Sequence, residues 1–242
     1  MKFLTYSFRH AEVILREPQF ATEYQELLDT ITNISDADII AKHESYDTTL
    51  GMRRPKSISV AINQLIDERL RSLHWNGQSP IFQEAGYVGE TWLLDFAKGL
   101  ISMEVAFNHS TVIAWNLIKP LLASELNHVK KNIQTEVGVI VCATNAMREA
   151  GGFDGAIGTY EKFLTYLAPL RDLLSVPILI IGLEPPLSFR IQHVSASGSR
   201  KGYINMLGGA VSAVPIATPP AAAITIPVEP LLNEPDVPGL EE

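Results

Sequence analysis

Two strand-length runs, Val137–Thr144 and Pro177–Leu183, constrain this chain most, because both are almost wholly apolar. A strand with one wet face alternates apolar and polar residues. A strand that is apolar throughout is covered on both faces. Between the two runs, residues 157–174 put Tyr160, Phe163, Leu164, Leu167, Leu170 and Leu174 on one side of a helix, with a kink expected at Pro169. Strand, helix and strand in that order fit a mixed sheet with helices on both faces and do not fit a β-sandwich. The expected fold class is therefore α/β, an α/β/α sandwich around a central mixed sheet.

Upstream, residues 20–34 read as an amphipathic helix. A second helix starts at Ile58, with Ile62, Leu65, Ile66, Leu70 and Leu73 at helical spacing. Residues 36–56 read as polar and irregular, and His74–Pro80 reads as a loop rich in turn residues. Residues 111–134 read as a helix interrupted at Pro120. The chain has 242 residues, and seven of its fifteen prolines fall after Ala210. The expected division is one domain over residues 1–209 and a Pro/Ala-rich acidic tail over 210–242, without fixed structure.

The net charge is −8, and the tail holds five acidic residues and no Lys or Arg. The remainder is closer to neutral, so a local basic groove is compatible with it, although the balance does not itself advertise nucleic-acid binding. The single cysteine, Cys142, lies in an apolar run and reads as a buried, inert thiol. It excludes a disulfide framework and a zinc motif. No apolar stretch has membrane-spanning length and the N-terminus is too polar for a signal peptide, so a cytoplasmic location is expected.

The chemistry centres on Trp92–Phe107, read as a β-hairpin. Asp95 is expected at the end of one strand, Lys98-Gly99 at the turn, and Glu104 at the start of the second strand's core. Side chains alternate along a strand, so Glu104 and Ala106 share a face and Val105 takes the other. If Asp95 lies on the same side as Glu104, two carboxylates converge. With the Val105 carbonyl they offer the oxygen set that Mg²⁺ prefers. On the motif alone two readings stay open. One is this metal pair. The other is an ordinary strand-end acid beside a partly buried, hydrogen-bonded glutamate.

Several further stretches occur in one order: His10-Ala-Glu-Val-Ile-Leu15, His74-Trp75 before Gln78 and Pro80, Leu94-Asp95-Phe96 before Glu104-Val105, Ser124-Glu125-Leu126, Val139-Ile140-Val141, Tyr160-Glu161, and Val176-Pro177-Ile178 before Gly182-Leu183. In this order they resemble the BglII/BstYI type II restriction endonucleases, of the PD-(D/E)xK nuclease superfamily, over roughly residues 10–195. The resemblance implies a restriction-endonuclease-like core, a homodimer, double-stranded DNA as substrate, Mg²⁺ as cofactor, and palindromic sites with a GATC centre. It implies catalytic roles for Asp95 and Glu104, and for Gln78 as an amide in place of the family's Asn. Position 106 departs, with Ala where the family has Gln and the superfamily Lys.

The implied activity is a Mg²⁺-dependent, site-specific DNA endonuclease of a restriction–modification system. Hydrolysis of a phosphodiester needs in-line attack by water, and a metal at Asp95, Glu104 and Val105 would polarise the phosphoryl oxygen and acidify a bound water. Ala106 cannot orient that water, so Gln78, Lys98, Lys119 or the scissile phosphate is left to do so. Asn108 and His109 follow the second strand where the resembled family contacts bases, and with Lys119 they form the expected DNA-binding set. In the glycine-rich loop Arg148–Ala156, Arg148 and Asp154 are the further candidate readers. Arg53, Arg54, Lys56, Lys130, Lys131, Arg200 and Lys201 are candidate phosphate contacts, with Ser195–Lys201 as a flexible arm. Two other classes stay open: a nuclease-fold DNA-binding protein with impaired catalysis, and an interaction protein that docks through its tail.

Overall fold

The computed structural model describes residues 1–208 except 49–50, 52, 88, 126–127 and 197–198. The tail expected over 210–242 lies outside the described residues. In chain order the elements are β1 (Phe3–Phe8), α1 (Ala11–Leu15), α2 (Ala21–Thr32), α3 (Asp36–Thr48), α4 (Ser59–Ser72), β2 (Asn76–Pro80), β3 (Leu93–Lys98), β4 (Ile101–Val105), α5 (Ile113–Ser124), β5 (Val137–Ala143), α6 (Asn145–Ala150), α7 (Tyr160–Leu170), β6 (Ile178–Leu183), β7 (Phe189–Ala196) and β8 (Ser199–Met206).

Six strands form one mixed sheet in the order β1-β6-β5-β4-β3-β2. Strands β4, β5 and β6 are parallel, and the outer pairings are antiparallel. Both apolar runs occupy the centre, with every residue of β5 and β6 buried. Their side chains alternate between two cores. Val137, Val139 and Val141 join Leu179 and Ile181 under α1, α2 and α4. Ile140 and Cys142 join Ile178 and Ile180 under α5 and α7. The sheet is therefore covered on both faces, as the expected α/β/α sandwich requires.

Four local expectations are corrected. Residues 36–48 form a helix, α3, rather than irregular chain. Its start is a reciprocal cap: Asp38 N–H donates to Ser35 Oγ at 3.1 Å, and Ser35 N–H donates to Asp38 Oδ2 at 2.9 Å. Its buried face is only Ile39, His43 and Tyr46, which a charged background hides. Residues 76–80 form the edge strand β2, and Pro80 is tolerated there because an edge leaves one side of the backbone unpaired. Helix α5 continues through Pro120 but ends at Ser124, short of the expected residue 134, with Glu125 already extended; the Pro120 ring lies against the sheet at Gly138, where an added Cβ would stand 2.5 Å from the proline Cβ. Of the sequence expected as a flexible arm, residues 195–196 and 199–201 are strand residues of β7 and β8, paired through Ser195↔Arg200 and Ala196↔Ser199.

Candidate active site

Three polar positions stand in one row across β2, β3 and β4. The β2–β3 ladder runs through Gly77↔Phe96 and Ser79↔Leu94, which puts Gln78 opposite Asp95. The β3–β4 ladder runs to Phe96↔Met103, and its next step puts Asp95 opposite Glu104. Asp95 is thus inside its strand and Glu104 is the fourth residue of β4, not the strand end and strand start expected. Directly opposed residues share a face, so the two carboxylates point the same way.

Each carboxylate has one oxygen tied and the other without a firm partner. Asp95 Oδ2 accepts the Val105 N–H at 2.8 Å. Asp95 Oδ1 has only a long 3.5 Å contact from the Gln78 amide. Glu104 is 2% exposed. Its Oε2 accepts from the Lys119 ammonium, and its Oε1 is buried with no hydrogen-bond partner. Burial, reinforced by the Asp95 charge and opposed by Lys119, pushes the Glu104 carboxyl up to about 8. An unpartnered buried carboxylate oxygen is costly in isolation. Beside a second free carboxylate oxygen, it is what a hard cation with oxygen ligands fits. Among the described residues no group of three His, Cys, Asp or Glu side chains forms a metal cluster, so protein ligation here rests on two acids and backbone oxygen.

A cleft of about 170 Å³ opens on this row, lined by Asn63, Asp67, Gln78, Asp95, Phe96 and Val105. Asn63 and Asp67 come from α4 and were not foreseen; they lie one turn apart on that helix, which the sequence pattern showed only as amphipathic. Asp67 is engaged by Arg71 Nε at 2.8 and 2.9 Å. Gln78 has φ of 52°, a left-handed backbone uncommon for a residue with a Cβ. A larger hollow of about 310 Å³ at Met1, Ile34 and Pro185 is remote in the chain from these groups and shares none of them.

The candidates for the missing group at position 106 separate clearly. Ala106 is buried in the core under α5 and α7 and brings only a methyl. Lys98 is occupied: its ammonium bonds both Glu26 oxygens, at 2.8 and 2.7 Å, and the Leu73 carbonyl at 2.8 Å. Lys119, grouped above with the DNA-binding residues, is 8% exposed and points inward. It donates to the Leu93 carbonyl at 3.0 Å as well as to Glu104.

Asn108 and His109 are exposed just past β4. The loop Gly151–Gly158 braces them, with Ser110 N–H on the Ala156 carbonyl at 2.8 Å and Gly158 N–H on the Asn108 carbonyl at 3.0 Å. Asn108 Oδ1 accepts from buried Asn116 at 3.2 Å, which turns its amide NH₂ outward. His109 Nδ1 accepts the Thr111 N–H at 3.2 Å, which leaves Nε2 to carry the ring proton. Asp154 is ion-paired with Lys56 at 3.1 Å, and the Ala156 N–H, then that lysine and His109, hold its carboxyl below the usual range. Arg54 is not an available phosphate contact: it is buried, bonds Asp47 through two nitrogens at 3.0 and 2.9 Å, and lies over the Tyr203 ring.

No helix among the described residues is long and apolar enough to cross a membrane. No curated protein sequence matches the chain. A crystal structure of restriction endonuclease BglII complexed with a DNA 16-mer matches in fold, with TM-score 0.59, 17% sequence identity, and coverage of 86% of this chain and 100% of that one. A crystal structure of free BglII is 18% identical, with TM-score 0.48 over the same coverage. The family model described as restriction endonuclease BglII/BglIII matches residues 3–183, which take in the sheet, the acidic row and Lys119. The chain belongs to that family and is a type II site-specific deoxyribonuclease.

Proposed function

We propose that this endonuclease cleaves both strands of DNA as a homodimer, with Mg²⁺ held by Asp95, Glu104 and the Val105 carbonyl. The observation that carries the reading is the pair of facing carboxylates, each with one oxygen fixed by the protein and one left over. Bound there, Mg²⁺ supplies Lewis-acid activation of the phosphoryl oxygen and of the attacking water. The chain's own part is to hold the ligands still: the Val105 N–H sets the Asp95 carboxylate, and Lys119 sets that of Glu104. Gln78 reaches the same row and is suited to orient a water or a phosphate oxygen.

A palindromic site with a GATC centre is the specificity proposed. Asn108 and His109 support readout from the end of β4, since each turns a donor outward. Donors of this kind select the purine N7 and guanine O6 acceptors of the major groove. A twofold dimer would present both copies to a twofold site.

The test is cleavage of sequenced phage DNA by the purified protein with Mg²⁺ or Mn²⁺. Discrete fragments mapping to one palindrome are expected, lost in Asp95→Asn and Glu104→Gln. The buried methyl of Ala106 favours a second reading, a DNA-binding protein of the same fold with impaired catalysis. DNA binding without cleavage in either metal would select it, and absence of both would reject both.

A further inference from the structure

We propose that Lys119 is the positioning residue of this hydrolytic site, taking from helix α5 the place beside Glu104 that Ala106 leaves without a polar group; the inference rests on Asp95 and Glu104 being the metal ligands. Glu104 and Ala106 point to the same side of β4, toward α5. No donor reaches the acid from β4 itself, because position 106 is a methyl buried in an apolar core. The ammonium arrives from the facing helix instead. Its two acceptors are the Leu93 carbonyl on β3 and Glu104 Oε2 on β4. It thereby ties together the two strands that carry the acids, at the row where the acids stand. An ammonium has three N–H groups, and two are accounted for by these acceptors.

Burying this pair is not explained by stability. An apolar pair of similar volume is often as stable as a buried ion pair or more so. A purely structural glutamate would also have both oxygens satisfied, whereas here Oε1 is left without a partner. Lys119 holds Oε2 and so fixes the direction of Oε1. On this proposal the ammonium's remaining N–H serves a water or phosphate oxygen, beside the amide of Gln78, the task for which Ala106 has no atoms.

The test is a double-mutant cycle in the full chain with Lys119→Met, Ala106→Lys and both together. Lys119→Met is expected to lower kcat for DNA cleavage about 100-fold, the scale of removing one donor at a reacting centre. KM and DNA affinity without metal are expected to stay within about threefold, as for an interaction made only in the transition state. Ala106→Lys alone brings two ammonium groups to one carboxylate and lowers the melting temperature. The double variant relieves that crowding, so its metal-free melting temperature is expected to exceed the additive value by at least about 2 °C, and its kcat to recover about tenfold over Lys119→Met.

Lys119→Met cutting within about threefold of the parent rate would overturn the proposal, as would strictly additive melting temperatures with no recovery of kcat. A merely structural lysine would move DNA affinity and kcat together, and that outcome also counts against it. If Lys119→Met does not fold, the double variant decides: folding with cleavage supports the proposal, and failure to fold overturns it. Glu104→Gln separates the two levels of argument. A Glu104→Gln protein that still cuts removes the metal-ligand reading, whereas an inactive Glu104→Gln beside a fully active Lys119→Met removes only the role of Lys119.

Discussion

Asp95→Asn separates charge from shape at the centre of the row. Asp95 Oδ2 receives the Val105 N–H at 2.8 Å, while Oδ1 faces the cleft beside Gln78. Asparagine keeps an oxygen for the Val105 N–H and gives up the charge; alanine gives up both. An orphaned, partly buried N–H costs about 1–3 kcal/mol. Asp95→Ala should therefore melt several degrees lower, at roughly 2–4 °C per kcal/mol for a chain of this size. For Asp95→Asn the weaker neutral hydrogen bond is offset by relief of Glu104, whose carboxyl the Asp95 charge helps push up. Its stability should stay within about 1 kcal/mol of the parent. Activity should behave differently, because both variants lose a ligand. Metal polarisation of a phosphoryl oxygen is worth several kcal/mol, so each should cut more than about a hundredfold slower. Thermal melts in EDTA, Mg²⁺ titration by calorimetry and plasmid cleavage measure the three quantities. Asp95→Asn cutting at the parent rate would refute the argument, and so would a melt as low as that of Asp95→Ala.

Without metal, native Glu104 keeps its proton up to about 8, whereas the ordinary value is 4.5, so the native state binds the extra proton between them and stability falls as pH rises through that window. Urea midpoints across that range should show this component removed in Glu104→Gln, and identical pH profiles for the two proteins would count against it. Gly182→Ala puts a Cβ 2.6 Å from the Tyr160 ring and should cost about 1–3 kcal/mol in a denaturant melt; an unchanged midpoint would mean that the ring is not fixed there. Asn108→Ala should weaken binding to the cleaved sequence, measured by fluorescence anisotropy in Ca²⁺, by about 1–3 kcal/mol without a matching loss on unrelated DNA. An equal loss on both would assign Asn108 to the backbone rather than to bases.

What the sequence made legible follows the range of the interactions. Strands β5 and β6 are readable because every position is apolar, and that property needs no knowledge of neighbours. The β3–β4 hairpin is readable because its turn is local, and it brought Asp95 and Glu104 together across only nine positions. Helix α3 escaped notice because its buried face is three residues in a charged background, although Ser35 and Asp38 spell a capping pair. Strand β2 looked like a loop because Asn76, Gly77 and Pro80 are turn residues, and only a sheet edge lets them pair. From the sequence Lys119 is only one of several candidates to orient the water or contact DNA. Its inward course depends on α5 packing on the sheet through Pro120 and Gly138, a contact between residues 18 apart that no local pattern encodes. Asn63 and Asp67 were missed for the same reason: only tertiary packing brings α4 to the cleft.

The row of acids also bears on how an acidic protein handles DNA. The net charge is −8, yet the five acids after Ala210 account for more than half of it. On the proposed reading the unfavourable charge is local: Asp95 stands where a phosphate must come, Glu104 adds its charge when it gives up its proton, and among the described residues Lys119 is the cation at contact distance. Lys98 is committed to Glu26 and Arg71 to Asp67, so these two cations are spent within the protein. On the proposed reading a divalent cation reverses the sign of this point. Phosphate and cation then each raise the other's affinity, and by linkage the two factors are equal. On the same reading Asn108 and His109, exposed past the end of β4, would contact bases without the metal. On the proposed reading the protein would bind DNA by its sequence while metal-free and engage the scissile phosphate only with the cation present, so that recognition and hydrolysis would be separable steps within one small sheet.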